Sequence, residues 1–196
     1  MANSTLKASY PLDSLDTLIA DTRLSAVENL DIISVALPRI LPPEKAGEAH
    51  DNLEKQLQTS FGLALPAVGA LSRNGEEYAL LGLQPGLWFL VTSRRTPEPA
   101  RNLKTVLRDT AYLTDQSDSW AILDIAGPRA QAALERICAI DVDRSAFDET
   151  RVVRTIMEHL SVVLERPEPE RFRLYSPVSS AQSFLHSVRV SVQNVV

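Results

Sequence analysis

The chain has 196 residues, 44% of them hydrophobic, and its 25 acidic and 20 basic side chains leave a formal net charge of −5. A chain of this length buries roughly 70% of its unfolded surface in one or two compact units without staples, and its charge balance offers no basic stripe to displace counterions from a phosphate backbone, which argues against a nucleic-acid partner. The single cysteine, Cys138, excludes an intrachain disulfide, a Cys-x-x-Cys pair and a multi-cysteine metal cage, and it fits a reducing cytoplasm.

The first thirty residues are polar, with Pro11 and repeated Asp and Ser, and read as an extended arm or a loosely docked helix around residues 15–20. No apolar run follows Lys7, and nowhere are there 18 consecutive apolar residues, so neither export nor a membrane span is expected. Residues 32–37 are β-branched enough for a strand, which Pro38, Pro42 and Pro43 end. Over residues 44–61, Ala46, Ala49, Leu53, Leu57 and Phe61 recur at three- and four-residue spacing, which predicts a helix that covers a sheet and stops at Gly62. Asn74-Gly75 predicts a two-residue hairpin turn between strands at 68–71 and 78–83. Gln84-Pro85-Gly86 turns the chain into the apolar run 87–91, suited to a strand buried on both faces. A second helix over 97–110, with Leu103, Val106 and Leu107 inward, completes a β-α-β-β-β-α first half.

The second half repeats that logic without repeating the residues. Strands at 112–114 and 120–125 read as neighbours, and Gly127-Pro128 opens a helix with the stripe Ala130, Ala133, Leu134 and Ile137. Strands at 152–157, 160–164 and 172–175 follow, the last two joined by a turn over 167–170, and a helix over 179–188 closes the chain. This order argues for an α+β fold with antiparallel sheets, divided into an arm (1–30), a first α+β half (31–110) and a second α+β half (111–196) within one compact unit.

Candidate sites in this order weigh toward structure. Cys138 falls at the end of an amphipathic helix, where a lone cysteine acts as a small hydrophobe. His50, His159 and His186 are far apart and lack metal-ligand spacing, and His159 falls in a turn between strands. Asp141 and Asp143 read as a solvated loop or a cap, and Asp115 as a backbone acceptor at a strand end. Asp124 shares a strand face with Ile122, and alternation places it toward solvent. Trp88 suits either core or a partner-facing surface, and Arg94, Arg95, Arg151 and Arg154 suit the rim of a partner contact. Only seven glycines occur, with no Gly-x-Gly-x-x-Gly fingerprint and no Walker-type loop, so direct nucleotide binding is not expected.

Residues 115–166 carry a resemblance. Asp115-Gln116-Ser117, then Ile122-Leu123-Asp124-Ile125-Ala126-Gly127-Pro128-Arg129-Ala130, Cys138, Asp141-Val142, Phe147 and Thr155 before Val162-Val163-Leu164 keep the order and spacing of the gamma subunit of heterotetrameric sarcosine oxidase, a relative of the glycine-cleavage T-protein and other folate-binding aminomethyltransferases. A fainter echo of the family's Leu-Gly-Pro-Asp-Glu-Trp-Leu-Leu runs from Leu83 to Leu90, with Gln84, Gly86 and Leu87 departing from it, and Pro177 stands where the family has an arginine entering the last helix. The resemblance implies two ferredoxin-like α/β halves with antiparallel sheets and an aminomethyltransferase folate-binding-domain-like fold. It implies a non-catalytic gamma subunit, with no catalytic, cofactor or metal residues of its own. FAD, FMN, NAD, tetrahydrofolate and zinc would sit in partner chains: larger flavin- and folate-binding subunits and a small zinc subunit. The complex would oxidatively demethylate sarcosine, or a related N-methyl amine, to glycine with one-carbon transfer to tetrahydrofolate. A stand-alone folate-binding protein and a divergent adaptor that kept the fold are the alternatives.

Overall fold

A computed structural model describes residues 9–38 and 43–195. The chain runs β1 (Asp16–Ile19), β2 (Thr22–Ala26), β3 (Asp31–Ala36), α1 (Pro43–Phe61), β4 (Leu71–Asn74), β5 (Tyr78–Gln84), β6 (Leu87–Thr92), α2 (Pro99–Leu107), β7 (Tyr112–Asp115), β8 (Trp120–Ala126), α3 (Ala130–Glu135), β9 (Val152–Met157), β10 (Leu160–Glu168), β11 (Arg171–Pro177) and, after a single 3-10 turn, α4 (Ala181–Gln193). Two antiparallel sheets result, in the orders β4-β5-β6-β3-β7 and β1-β2-β8-β11-β10-β9. The expected α+β class with antiparallel sheets is what the chain adopts.

Side-chain alternation stacks these elements in four layers, helices outside and the sheets face to face. Along β6, Trp88 and Leu90 face α1 and α2 with Leu53, Leu57, Leu103 and Leu107. Phe89 and Val91 point the other way, against Trp120, Ile122, Val163 and Tyr175 of the second sheet. The far side of that sheet packs Leu123, Ile125, Leu164 and Phe172 under α3 and α4, where Phe184 and Val188 enter. The sheets are also stitched at one edge by backbone bonds, Leu71 N–H to the Thr150 carbonyl at 3.0 Å and Val152 N–H to the Gly69 carbonyl at 3.2 Å.

Several elements differ from the sequence expectation. The stretch read as an arm or docked helix is the hairpin β1–β2, turning through Ala20 and Asp21, both at positive φ. β2 pairs with β8, and Leu24 is wholly buried. Ahead of it, the Tyr10 hydroxyl accepts from Ile122 N–H at 3.1 Å and donates to the Val27 carbonyl at 3.2 Å. β7 and β8, read as neighbours, lie in different sheets, with β7 on β3 and β8 between β2 and β11. Asn74 is the last residue of β4 rather than a turn residue. The loop is Gly75-Glu76-Glu77, and the Asn74 side-chain amide caps the Phe61 carbonyl at 2.8 Å, closing α1. α2 starts at Pro99 rather than near Pro97, and Val106 is partly exposed. α3 is only six residues long, and the turn placed at 167–170 shrinks to Pro169-Glu170 because β10 continues through Glu168. Pro42 and the Ala46 side chain lie outside the described residues.

Gly127 marks where the hairpin docks. Its φ is +133°, and a Cβ there would meet the Asp21 carbonyl oxygen at 2.3 Å. Only glycine admits both that backbone conformation and that approach.

Candidate functional site

A charged row crosses the inner face of the second sheet. In register, Asp124 on β8 stands opposite Arg173 on β11, and Arg173 opposite Glu165 on β10. Alternation places these three on the face that also carries Ile122, Val163 and Tyr175. Asp124 is 5% exposed and Glu165 fully buried. Arg173 grips Asp124 with two bonds, Nε to Oδ1 at 2.8 Å and Nη2 to Oδ2 at 3.0 Å. Arg171 adds Nε to Oδ2 at 2.9 Å and reaches Glu168 with Nη1 at 2.7 Å. Glu165 accepts from the Tyr175 hydroxyl at 2.8 Å and, across the gap between the sheets, from Arg73 of β4 at 2.5 Å. A register shift in β10 between Glu165 and Glu168 accommodates Pro167, which has no amide to donate.

The network lines a cleft of about 570 Å³ between the sheets, walled by Arg73, Glu165, Glu168, Arg171, Arg173 and Tyr175. Burial alone would lower the Arg173 pKa, but the bonds to Asp124 and the nearby Tyr175 and Glu165 outweigh it and hold the guanidinium above its ordinary value. Burial first, then the Glu165 charge, pushes the Tyr175 phenol well above its usual range. Each carboxylate therefore faces a permanently charged arginine, and the phenol keeps its proton at neutral pH. The bonds tie the row together within its sheet, and the Arg73–Glu165 pair carries it across to the other, so this arrangement is suited to locking the two sheets together.

Asp124, placed toward solvent by alternation, is instead buried at the centre of this network. Its face is the inner one, and the arginines two residues apart on β11 supply its partners. Trp88 is not at the surface: it is 5% exposed beneath α1, its indole N–H donating to the Pro66 carbonyl at 2.8 Å. Arg94 is exposed, Arg95 pairs with Asp118, Arg151 is exposed just ahead of β9, and Arg154 is exposed on that edge strand. Arg154 also donates to the Ser161 hydroxyl at 3.0 Å and lies 5.9 Å from the Trp120 ring centre.

The remaining candidates stay apart. Cys138 is half-buried beside Met157, its thiol pushed up by burial. His159 occupies the exposed β9–β10 turn and His186 the outer face of α4. His50 stands with Asp51 and Glu54, all exposed, their ligand atoms within 4.8 Å of one another. Asp141 and Asp143 bond the backbone N–H groups of Asp143 and Ser145, as loop caps do, and the Ser145 bonds hold Asp143 below the ordinary carboxylate range. Asp115 accepts from the Ser117 amide and hydroxyl, and the Ser117 Oγ accepts from Ile32 N–H at 3.0 Å, so Asp115-Gln116-Ser117 pins β7 to β3. Sequence reading missed Arg73, Glu165, Arg171, Arg173 and Tyr175. The alternation of Arg171, Arg173 and Tyr175 in one strand was their available signal.

No known family profile matches the chain. It is 26% identical over 132 residues to the sarcosine oxidase subunit gamma of Corynebacterium sp. (strain U-96), a match covering 66% of this chain and 64% of that relative's length, just under two thirds. It is 23% identical over 145 residues to the subunit gamma of an Arthrobacter species, covering 74% of this chain and 68% of the relative. Among solved structures, it superposes on a chain of the heterotetrameric sarcosine oxidase of Corynebacterium sp. U-96 with a TM-score of 0.77, covering 94% of both chains at 19% identity. It also superposes on the glycine cleavage system aminomethyltransferase T of Bartonella henselae with a TM-score of 0.54 at 16% identity, covering 86% of this chain and 45% of that one. The chain thus resembles the sarcosine oxidase gamma subunit in sequence and shares the fold of both proteins. Among the described residues no helix is long and apolar enough to cross a membrane.

Proposed function

We propose that this chain is the gamma-type, non-catalytic subunit of a heterotetrameric sarcosine-oxidase-like complex. The observation that carries the reading is its near end-to-end correspondence, over 94% of both chains, with one chain of such an enzyme, joined to sequence similarity with subunits named gamma. The geometry of the charged network supports it, because its groups are tied to one another instead of being held ready for a substrate.

In this reading the chemistry belongs to partner chains. Larger subunits carry FAD, FMN, NAD and tetrahydrofolate, a small subunit carries zinc, and the assembly demethylates sarcosine or a related N-methyl amine. Arg94, Arg95, Arg151 and Arg154 are the proposed rim contacts, with Ile156 exposed two residues beyond Arg154 on β9. Rim charges act more on encounter and register than on affinity. Trp88 is withdrawn from that set by its burial.

Coexpression with the flavin-bearing partner chains, followed by size-exclusion chromatography, tests the proposal. The chain is expected to elute with flavin absorbance at the mass of the complex. Elution as a free monomer overturns the reading, and saturating heat at one tetrahydrofolate per isolated chain in calorimetry would favour a stand-alone folate-binding protein instead.

A further inference from the structure

The loop that joins β4 to β5 sets an asparagine and a glycine side by side in the open. Asn74, Gly75, Glu76 and Glu77 are all exposed, and a Cβ built at Gly75 would meet nothing within 4 Å. Among the described residues no carbonyl accepts from the Gly75 N–H, so that nitrogen is neither crowded by a side chain nor held by a backbone bond. What restrains the pair is one contact at the surface, the Asn74 side-chain amide donating to the Phe61 carbonyl at 2.8 Å. Phe61 ends α1, where Gly62, at φ +65°, turns the chain and donates its N–H to the Gln58 carbonyl at 3.0 Å. Helix ends open locally at little cost, and each opening of this one frees the Asn74 carboxamide.

We propose that Asn74 is a modification site, where spontaneous deamidation uncaps α1. The Gly75 nitrogen gives its proton to solvent and attacks the Asn74 Cγ. The N–Cγ bond forms, the Cγ–Nδ2 bond breaks, and the side-chain nitrogen leaves as ammonia with a proton from solvent. Water then opens the cyclic imide at either carbonyl. Opening at Cγ gives aspartate, and opening at the former Asn74 backbone carbonyl gives isoaspartate, which places one extra carbon in the main chain. No electron changes hands, and water is the only co-reactant. Both products lack the donor to Phe61 and put a carboxylate at the negative end of the α1 dipole, next to Glu76 and Glu77 in the chain. Isoaspartate also removes the backbone carbonyl of the last ladder pair, Asn74 with Tyr78, and lengthens the chain next to Arg73, whose bond to Glu165 at 2.5 Å crosses between the sheets. The change therefore reaches the helix layer through Phe61, which meets Tyr78 edge to face at 5.2 Å, and the inter-sheet lock through Arg73. None of this depends on the subunit reading.

Peptide mapping by mass spectrometry of the isolated full chain, held folded at mildly alkaline pH, tests the assignment. Asn74 should lose its amide while Asn29, Asn52 and Asn102, also exposed but each followed by leucine, keep theirs. In heavy-oxygen water the product should take up a single labelled oxygen and divide between aspartate and isoaspartate. Gly75→Ala, which crowds the attacking nitrogen, should hold the Asn74 amide intact over the same period. Asn74→Asp, a ready-made product, should lower the folded-to-unfolded ratio about tenfold at neutral pH, the scale of one lost cap bond with repulsion in its place, read as a lower urea midpoint. An Asn74 amide as durable as the other three, deamidation unslowed in Gly75→Ala, or an Asn74→Asp chain as stable as the parent overturns the proposal.

Discussion

The two halves of the molecule carry the same ordered set of elements and obtain them differently. In the first, β3, α1, β4, β5, β6, α2 and β7 follow one another along the chain and build a sheet in the order β4-β5-β6-β3-β7. In the second, β8, α3, β9, β10, β11 and α4 repeat the series, and the sheet reads β9-β10-β11-β8-β2. The place that β7 fills beside β3 is filled beside β8 by β2, a strand made before either half begins. A sheet position is thus defined by an open row of backbone donors and acceptors, which any segment of the chain with matching alternation can satisfy. What differs chemically is the inner face. The first sheet presents Ala79, Leu81, Phe89 and Val91, and the second adds the row Asp124, Arg173 and Glu165.

Removing residues 1–26 should break the comparison most severely. The first half keeps all its strands while the second loses a neighbour of β8 and the buried Leu24, so calorimetry or urea unfolding should show the single cooperative transition lost. A truncated chain that unfolds in one transition at the parent midpoint would show β2 to be dispensable. Next, Glu165→Ala leaves Arg73 and Arg173 facing each other across the sheets without their shared carboxylate. Breaking a buried pair from one side costs about 3–5 kcal/mol, to be read as a lower urea midpoint at unchanged m-value. An exposed pair such as Arg23–Asp16, whose substitution should shift the midpoint little, is the control.

Alkaline pH sharpens the same contrast. The Tyr175 phenol has a folded pKa well above its ordinary value of about 10. Its contribution is therefore complete below pH 10 and is lost as pH rises toward the folded pKa, since the unfolded chain releases the proton first. The parent should lose stability above pH 10 more steeply than Tyr175→Phe, and the two curves should approach each other there; parallel curves would remove Tyr175 from the network. Smallest is Trp88→Phe in the first half, which keeps most of the packing and loses the bond to the Pro66 carbonyl, about 1 kcal/mol by thermal denaturation.

Much of this architecture was legible in the residues, and the misses have physical reasons. The stripe Leu53, Leu57, Phe61 carries a helical period, the run Leu87 to Val91 is apolar throughout and follows a turn, and both elements form where these patterns put them. The hairpin β1–β2 was hidden because its turn uses Ala20 and Asp21 at positive φ, without the Asn-Gly pair that signals such a turn. Asn74-Gly75 carried that signal and is spent differently, the asparagine capping α1. At the charged network, alternation correctly put Asp124 with Ile122 and then assumed that a charge seeks water. Its partners come from β11, 47 and 49 residues along the chain, and no local pattern announces them. Trp88 was ambiguous between core and contact, and only the helix layer above β6 decides it.

The docking of β2 also sets the timing of the molecule's assembly. Ala26 pairs with Leu123 and Arg23 with Ala126, so about a hundred residues separate the strand from its partner. At a synthesis rate of about 5–20 residues per second, the ribosome needs roughly 5–20 s to deliver β8 after β2 has emerged. Over that interval the first half emerges element by element, β7 only just ahead of β8, while Leu24 and the open strand edge wait in solvent, a window in which chaperones or a neighbouring nascent chain compete for them. Closure of the longest-range strand pairing among the described residues is then a late event of biogenesis, and Gly127 is the seat into which the waiting turn settles.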